Sequence, residues 1–364
     1  MDESLIDAES LPIERKSILP GEGFFRPDDV TQAQQEQEVA DSVADTDTVV
    51  VADPDADGLA CVALVREVHE DAALVPASPH ELDRRLAWTT EYVGPGTDVF
   101  VCDLCPDRES DLEPLPALAD QAGEIRWFDH HQWNDGLAAT VREAGVDLVV
   151  GESDEECSAD VAMRELEGDF DERLVDLVAV TRDHDLWIRE DPRSDDLADF
   201  SHWSEPEEYL EVISEHGADL SPEVEEFLAE KRIEKEALIA KAVERAELRE
   251  IGPWTIGVTY GRCSQNEVAE ALREQGADAA VIVKPAGSAS LRGTETFERC
   301  HEVAEQVNGG GHPRAAGCKP DIYDDMLDYA HHWTTRGAVA KQAIVDAFRR
   351  LEPDDGSEST GEGV

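Results

Sequence analysis

Thr48-Val49-Val50-Val51-Ala52 is a β-branched run with no amphipathic period. A strand of this kind fits a sheet covered on both faces, as parallel sheets between helix layers are. It passes without a spacer into Asp53-Pro54-Asp55-Ala56-Asp57-Gly58. A buried strand that ends in three carboxylates within five residues places a polar site at the strand end. That is where doubly wound sheets bind their ligands.

The same pattern recurs along the chain. Leu59 to Val68 has helical spacing, Asp98–Cys102 reads as a strand ending at Asp103, and Ile125–Phe128 as a strand ending at Asp129-His130-His131. An apolar helix from Leu174 ends in Thr181-Arg182-Asp183-His184-Asp185-Leu186-Trp187. Strands alternating with helices predict an α/β fold, a doubly wound, mostly parallel domain over residues 45–215. Residues 1–44 precede it as a leader with a Gln/Glu-rich helix from Thr31 to Ala44. Ser221-Pro222-Glu223 is a helix start, with Ser as N-cap and Pro in the first turn, and predicts a linker helix over residues 216–252.

A smaller α/β domain is expected over residues 253–350. It has strands at Trp254–Thr259, Ala279–Lys284 and Ala289–Arg292, a capping box at Ser264 and Glu267, and a helix to Val307. Asn308-Gly309-Gly310-Gly311-His312-Pro313 follows as a glycine loop. Residues 1–28 and the acidic tail 351–364 read as mobile ends.

Carboxylates together with imidazole suit hard or borderline divalent cations, Mn²⁺, Mg²⁺ or Co²⁺, rather than thiolate-seeking metals. Glycines let backbone N–H groups approach an anion, and His312, Arg292 and Arg314 can add charge-assisted hydrogen bonds to it. Other chemistry-bearing residues read as structural. His331-His332 lies on a helical stretch with no strand before it. Cys102 and Cys105 have no second pair to complete a zinc site and read as small apolar residues at a strand end. Trp133 and Trp187 are candidates for stacking on a nucleobase, with core packing as the alternative.

Asp and Glu outnumber Lys and Arg by 85 to 31, for a net charge of −54. Such a surface repels itself across a Debye length of about 8 Å in physiological salt, and much less across about 3 Å at 1 M. The acids are spread along the chain, which points to work in a very salty, halophilic-type cytoplasm. Seven cysteines at irregular spacing, with no signal peptide, agree with a reducing cytoplasmic location. No apolar run nears the ~20 residues of a membrane span, so no membrane association is expected.

Acid triplet, lone Asp, Asp-His-His, distal Asp and Gly-Gly-Gly-His, in this order over roughly residues 45–345, resemble the DHH phosphoesterase superfamily with its DHH-associated C-terminal domain. RecJ-like exonucleases and nanoRNase-like oligonucleotide phosphodiesterases are the most similar branches, and family II inorganic pyrophosphatases are more distant. The resemblance implies two Mn²⁺ ions, with Mg²⁺ or Co²⁺ as substitutes, held by Asp53, Asp55, Asp57, Asp103, His130 and Asp183 or Asp185. Asp103 would bridge the ions, Asp129 would orient the neighbouring His, and His131 would face the substrate phosphate. Many members carry a His at the place of Val51, and Asp53 would compensate for its loss. Arg292, Asn308, Gly309, Gly310, Gly311, His312 and Arg314 are similar to the substrate grip.

The activity so implied is hydrolysis of terminal phosphodiesters of short single-stranded nucleic acids by a hydroxide that two metals activate. The alternatives are a phosphatase for a bisphosphorylated nucleotide or cyclic dinucleotide, and a catalytically weakened scaffold. A homodimer and partners in replication or repair are compatible with the resemblance. With so few cations, long-strand binding through many Lys/Arg–phosphate contacts is disfavoured and local phosphate capture remains.

Overall fold

In the computed structural model, residues 28–323 and 325–351 are described. The end segments read above as mobile, residues 1–27 and 352–364, lie outside them. The chain divides into two compact units, residues 29–230 and the residues from Lys231 onward.

In the N-terminal unit, α1 (Asp28–Val43) leads into β1 (Thr48–Ala52), α2 (Ala56–Val68), β2 (Ala73–Pro76), α3 (Leu82–Tyr92) and β3 (Asp98–Cys102). Then come α4 (Leu115–Gln121), β4 (Ile125–Asp129), α5 (Asp135–Glu143), β5 (Asp147–Val150) and α6 (Ser158–Glu165). Three further helices, α7 (Glu172–Asp185), α8 (Pro192–Trp203) and α9 (Pro206–His216), complete it. The five strands pair in parallel in the order β2-β1-β3-β4-β5. The doubly wound expectation is met, and the order reverses between β1 and β3, the crevice where such sheets bind ligands.

Successive side chains of a strand point to opposite faces. Val50 and Ala52 accordingly pack with Phe100, Phe128 and helices α2 and α6–α9, while Val49 and Val51 pack with Val99, Trp127 and helices α1 and α3–α5. All of β1 is buried, and each such valine contributes about 1.5–3 kcal/mol by leaving water. Two apolar layers thus clamp the strand that carries the acid triplet.

The expected linker helix over 216–252 is shorter and ends in a strand. Gly217, at φ 64°, closes α9; α10 spans Pro222–Glu244, with the Ser221 hydroxyl accepting from Val224 N–H at 3.4 Å. Glu247–Ile251 is β6, an edge strand paired only with β7 (Trp254–Tyr260). Its charged sequence reads as helix, but charge is also how exposed sheet edges are kept from pairing further.

The C-terminal unit continues with α11 (Gln265–Glu274), β8 (Ala279–Val283), β9 (Ala289–Gly293), α12 (Cys300–Glu305), β10 (Gly309–Gly311), β11 (Ala315–Cys318), α13 (Met326–Thr334) and α14 (Ala338–Arg349). Its mixed sheet runs β10-β11-β9-β8-β7-β6, with only β7 and β8 parallel. The capping box is not formed. Ser264 is the N-cap of α11 without a side-chain bond, and Glu267 pairs instead with Lys235 at 3.2 Å. The glycine loop is also a correction: Gly309–Gly311 is an edge strand that folds back on β11. Among the described residues no helix is long and apolar enough to cross a membrane.

The turn after β1 tolerates no side chain at Gly58, where a Cβ would lie 2.1 Å from the Asp53 carbonyl oxygen. Gly58→Ala is therefore expected to destabilise the fold by about 1–3 kcal/mol, as overpacking against backbone does. A denaturation midpoint equal to wild type would refute this.

Candidate metal centre

Three parallel strands deliver their terminal residues to one place. After β1, the Asp55 carboxylate caps α2, accepting from Asp57 N–H (3.0 Å) and Gly58 N–H (3.1 Å). Asp57, 2% exposed, sits in the first turn of that helix and accepts from Ser158 N–H (2.7 Å) and Ala159 N–H (2.9 Å). Those amides are the unsatisfied donors at the start of α6, whose dipole favours a negative charge. At the end of β3, Asp103 takes the left-handed φ of 57° and accepts from the Ser158 hydroxyl at 2.8 Å. A non-glycine residue held there stores about 1–3 kcal/mol, a strain that clusters at functional sites.

β4 ends in Asp129, which is wholly buried. It accepts from His130 N–H (2.9 Å), His131 Nδ1 (2.7 Å) and Trp133 Nε1 (2.6 Å). The His whose ring Asp129 orients is thus His131; His130 is held through its backbone. His130 presents Nε2 at 3.2 Å from Asp185 Oδ2 and 3.9 Å from Asp103 Oδ1. Two sets of donor atoms come within 4.8 Å of one another: Asp103, His130 and His131, and Asp57, His130 and Asp185.

Of the two carboxylates at the end of α7, Asp185 joins the cluster and Asp183 does not. The Asp183 carboxylate accepts from Glu190 N–H (2.9 Å) and Asp191 N–H (3.2 Å), which fastens the loop after the helix. Of the two residues left open for the distal carboxylate, Asp185 takes that place in this geometry. Asp53 and Asp55 belong to neither donor set but act on it: Asp55 faces Asp57 and Asp103, and Asp53 faces Asp55, Asp57 and His131. Val51 is fully buried in the apolar layer, so the place of the expected His is filled by core.

The electrostatics suit a divalent cation. Burial, then the charges of Asp57 and Asp55, pushes Asp103 well above the carboxylate range. Burial and Asp55 raise Asp53 to about 8, and burial with Asp57 and Asp55 raises Asp185 to about 8. Asp55 shifts upward too, by the surrounding protein first and Asp57 second, although its own surface is the most open of the group. Asp129 is held low: burial opposes its charge, but the bonds from His131 and Trp133 outweigh it. His131 rises to about 9, the pull of Asp129 exceeding the cost of burial. His130 Nδ1 and Asp185 Oδ2 are buried without a hydrogen-bond partner. Crowded oxygen and imidazole donors that repel one another fit a hard or borderline divalent cation.

Ser158 and Tyr209 escape a reading of motifs, and the two candidate tryptophans turn out to have other partners. Ser158 links Asp57 and Asp103 through its amide and hydroxyl, and its only signal is a small residue at a helix start after β5. Trp133 packs edge-on against Trp127, 5.3 Å between ring centres, and its indole serves Asp129 rather than an open platform. Trp187 stacks with Arg189, 4.7 Å away, and edges His184. Tyr209 of α9 is fully buried with an unpartnered hydroxyl, raised by burial and by Asp55 and Asp57.

In the C-terminal unit, Arg292 donates through Nε to Asn266 (2.8 Å) and is half-buried. Gly309 and Gly311 are required by the hairpin itself: a Cβ would lie 2.1 Å from Gly317 O and 2.7 Å from Ala315 O. Only Gly310 has open space around it. Asn308, at φ 59°, closes the hairpin by donating to Lys319 O at 3.1 Å. His312 N–H donates to Ala315 O (2.7 Å) and its residue is exposed. Arg314 is exposed and pairs with Glu298 at 2.6 Å, a correction to its place in a phosphate grip. His332 packs inside, donating to Lys284 O at 3.0 Å, and Cys102 is core.

Metal affinity should follow these placements. In a Mn²⁺ titration by calorimetry, Ser158→Ala is expected to weaken binding about 10–100-fold by releasing Asp103. Asp185→Ala should weaken it further with little loss of stability, whereas Asp183→Ala should chiefly cost about 1–3 kcal/mol of folding stability through its two orphaned amides. The reverse ranking of the two Asp variants would overturn the ligand assignment.

No family model and no curated protein matches the chain. Solved structures do. Exonuclease RecJ bound to manganese aligns with a TM-score of 0.54 at 16% identity, over 92% of this chain and 97% of that one. The DHH domain of PF0399, a member of the s1p family of ribosomal proteins, aligns at 0.54 and 15%, over 89% and 90%. PggH, a pGpG-specific phosphodiesterase from Vibrio cholerae, aligns at 0.50 and 14%, over 82% and 99%. With its five-stranded parallel domain and mixed-sheet companion, the chain shares the fold of these solved structures.

Proposed function

We propose that this chain is a divalent-metal-dependent phosphoesterase that hydrolyses terminal phosphodiesters of short single-stranded nucleic acids. One observation carries the reading: the buried Asp57–Asp103–His130–Asp185 cluster lies at the strand ends of a fold shared with a manganese-bound exonuclease. Divalent cations held by Asp57, Asp103, His130 and Asp185 would supply Lewis acidity toward a phosphoryl oxygen. The chain's own groups do the rest. Ser158 and the α6 amides fix the carboxylates, so no reorganisation is needed when charge develops. His131, kept protonated by Asp129, can donate a hydrogen bond to a phosphate oxygen.

Short substrates are favoured by charge. A surface with 31 cations against 85 anions offers little counterion release, so affinity must come from a few local contacts. Arg292 and His312 are the candidates for such contacts. The coverage of 99% of a pGpG phosphodiesterase favours a second reading at the lower limit of length, a linear dinucleotide.

End-labelled RNA and DNA strands of graded length, down to dinucleotides, should be trimmed in Mn²⁺ at molar salt. Asp103→Ala is expected to slow turnover by about 10³-fold or more, corresponding to about 4 kcal/mol of lost transition-state stabilisation. Absence of turnover on every length in the wild-type protein would exclude the enzyme and leave a binding scaffold.

A further inference from the structure

A second place in the molecule departs from its acidic character. The C-terminal unit contains a cavity of about 230 Å³ between the end of α10, the end of β7 and α13, lined by Lys241, Arg245, Arg262, Tyr260, Trp333 and Leu238 among others. Three of its lining residues are cations and none is a carboxylate, in a chain where acids outnumber bases 85 to 31. Lys341 adds a fourth cation, its ammonium 6.0 Å from the centre of the Tyr260 ring. Burial pushes Lys341 below the usual lysine range, and although Glu247 opposes this, Arg249, Arg336 and Arg245 push it further. Like charges gathered at this density are stabilised by an anion.

The rest of the lining does not suit a bare anion. Trp333 is fixed by its indole N–H donating to Pro285 O at 3.0 Å, and Leu238 is left 38% exposed at the rim. Aromatic and aliphatic surface beside guanidinium groups is the combination that takes a nucleobase next to its phosphate. The volume falls below the ~300 Å³ at which drug-sized pockets begin, so it admits one small unit and not a strand. The cavity is distinct from the Arg292 grip. Tyr260 at its wall stands level with Val283 and Ala289, whereas Arg292 stands level with Ala280, three residues or about 10 Å away along the sheet.

The geometry points to a binding site for a nucleoside monophosphate, with Lys241 and Arg245 on the phosphate and Trp333 against the base. This assignment stands on the C-terminal unit alone and does not depend on the proposed reaction.

Calorimetric titration of the full-length chain in EDTA, with adenosine monophosphate, adenosine and inorganic phosphate in parallel, tests it without turnover. Adenosine monophosphate should bind more tightly than either fragment. The pair Lys241→Gln and Arg245→Gln should weaken it by about tenfold or more. Trp333→Leu should weaken the nucleotide but leave phosphate unchanged, and His312→Ala should leave the nucleotide unchanged; thermal melts verify that each variant is folded. Equal affinity for phosphate and nucleotide would reduce the site to an anion pocket and overturn the proposal. So would no binding, indifference to the double substitution, or loss of binding in His312→Ala, which would move the ligand to the glycine hairpin.

Discussion

The carboxylates of Asp53, Asp55, Asp57, Asp103 and Asp185 are crowded into one crevice, and their mutual repulsion sets the terms for everything around them. Left to themselves, Asp53, Asp55, Asp103 and Asp185 hold protons above the usual range, Asp53 and Asp185 up to about 8. A fold keeps such a group together only if its backbone is over-determined and a cation is available. The first condition is visible, and the donor set suits the second. β1 is clamped by two apolar layers, and the donor atoms converge within 4.8 Å.

The supporting contacts explain why the repulsion does not open the site. Asp57 rests on two amides at the start of α6, Asp103 on the Ser158 hydroxyl, and Asp129 on two imidazole and indole donors. Each of these three carboxylates has at least one fixed donor, so their orientation does not depend on the metal alone. Asp183 shows the contrast. The same residue type, two positions away, spends both oxygens on a loop and stiffens the neighbour that joins the cluster.

Charge divides the molecule at a larger scale. Its surface is acidic nearly throughout, so positive groups are informative wherever they gather. Arg292 and His312 gather on one part of the mixed sheet, and Lys241, Arg245 and Lys341 near the end of β7. In strong salt, long-range steering is screened and only contacts at hydrogen-bond distance retain value. Recognition by a few local cations is what such a chain has left.

The parallel sheet was legible because β1, β3 and β4 are nearly continuous apolar runs, each ending in an acid or a His. The ligand candidates after those strands followed from the same register. The short strands β2, β10 and β11 were not legible, being too brief or too glycine-rich to carry a period, and β6 hid behind the charge that protects an edge. Nor could spacing choose between Asp183 and Asp185, which stand two residues apart in the last turn of one helix, on nearly opposite faces, until the sheet shows which face meets the cluster. Sequence alone determined the strand ends and the chemistry placed there, since both are local. Which carboxylate turns inward, and that Ser158 joins Asp57 to Asp103, were decided by tertiary structure, because those contacts bring together distant parts of the chain, up to 102 positions apart, and the Ser158 links exist only once α6 packs against the sheet.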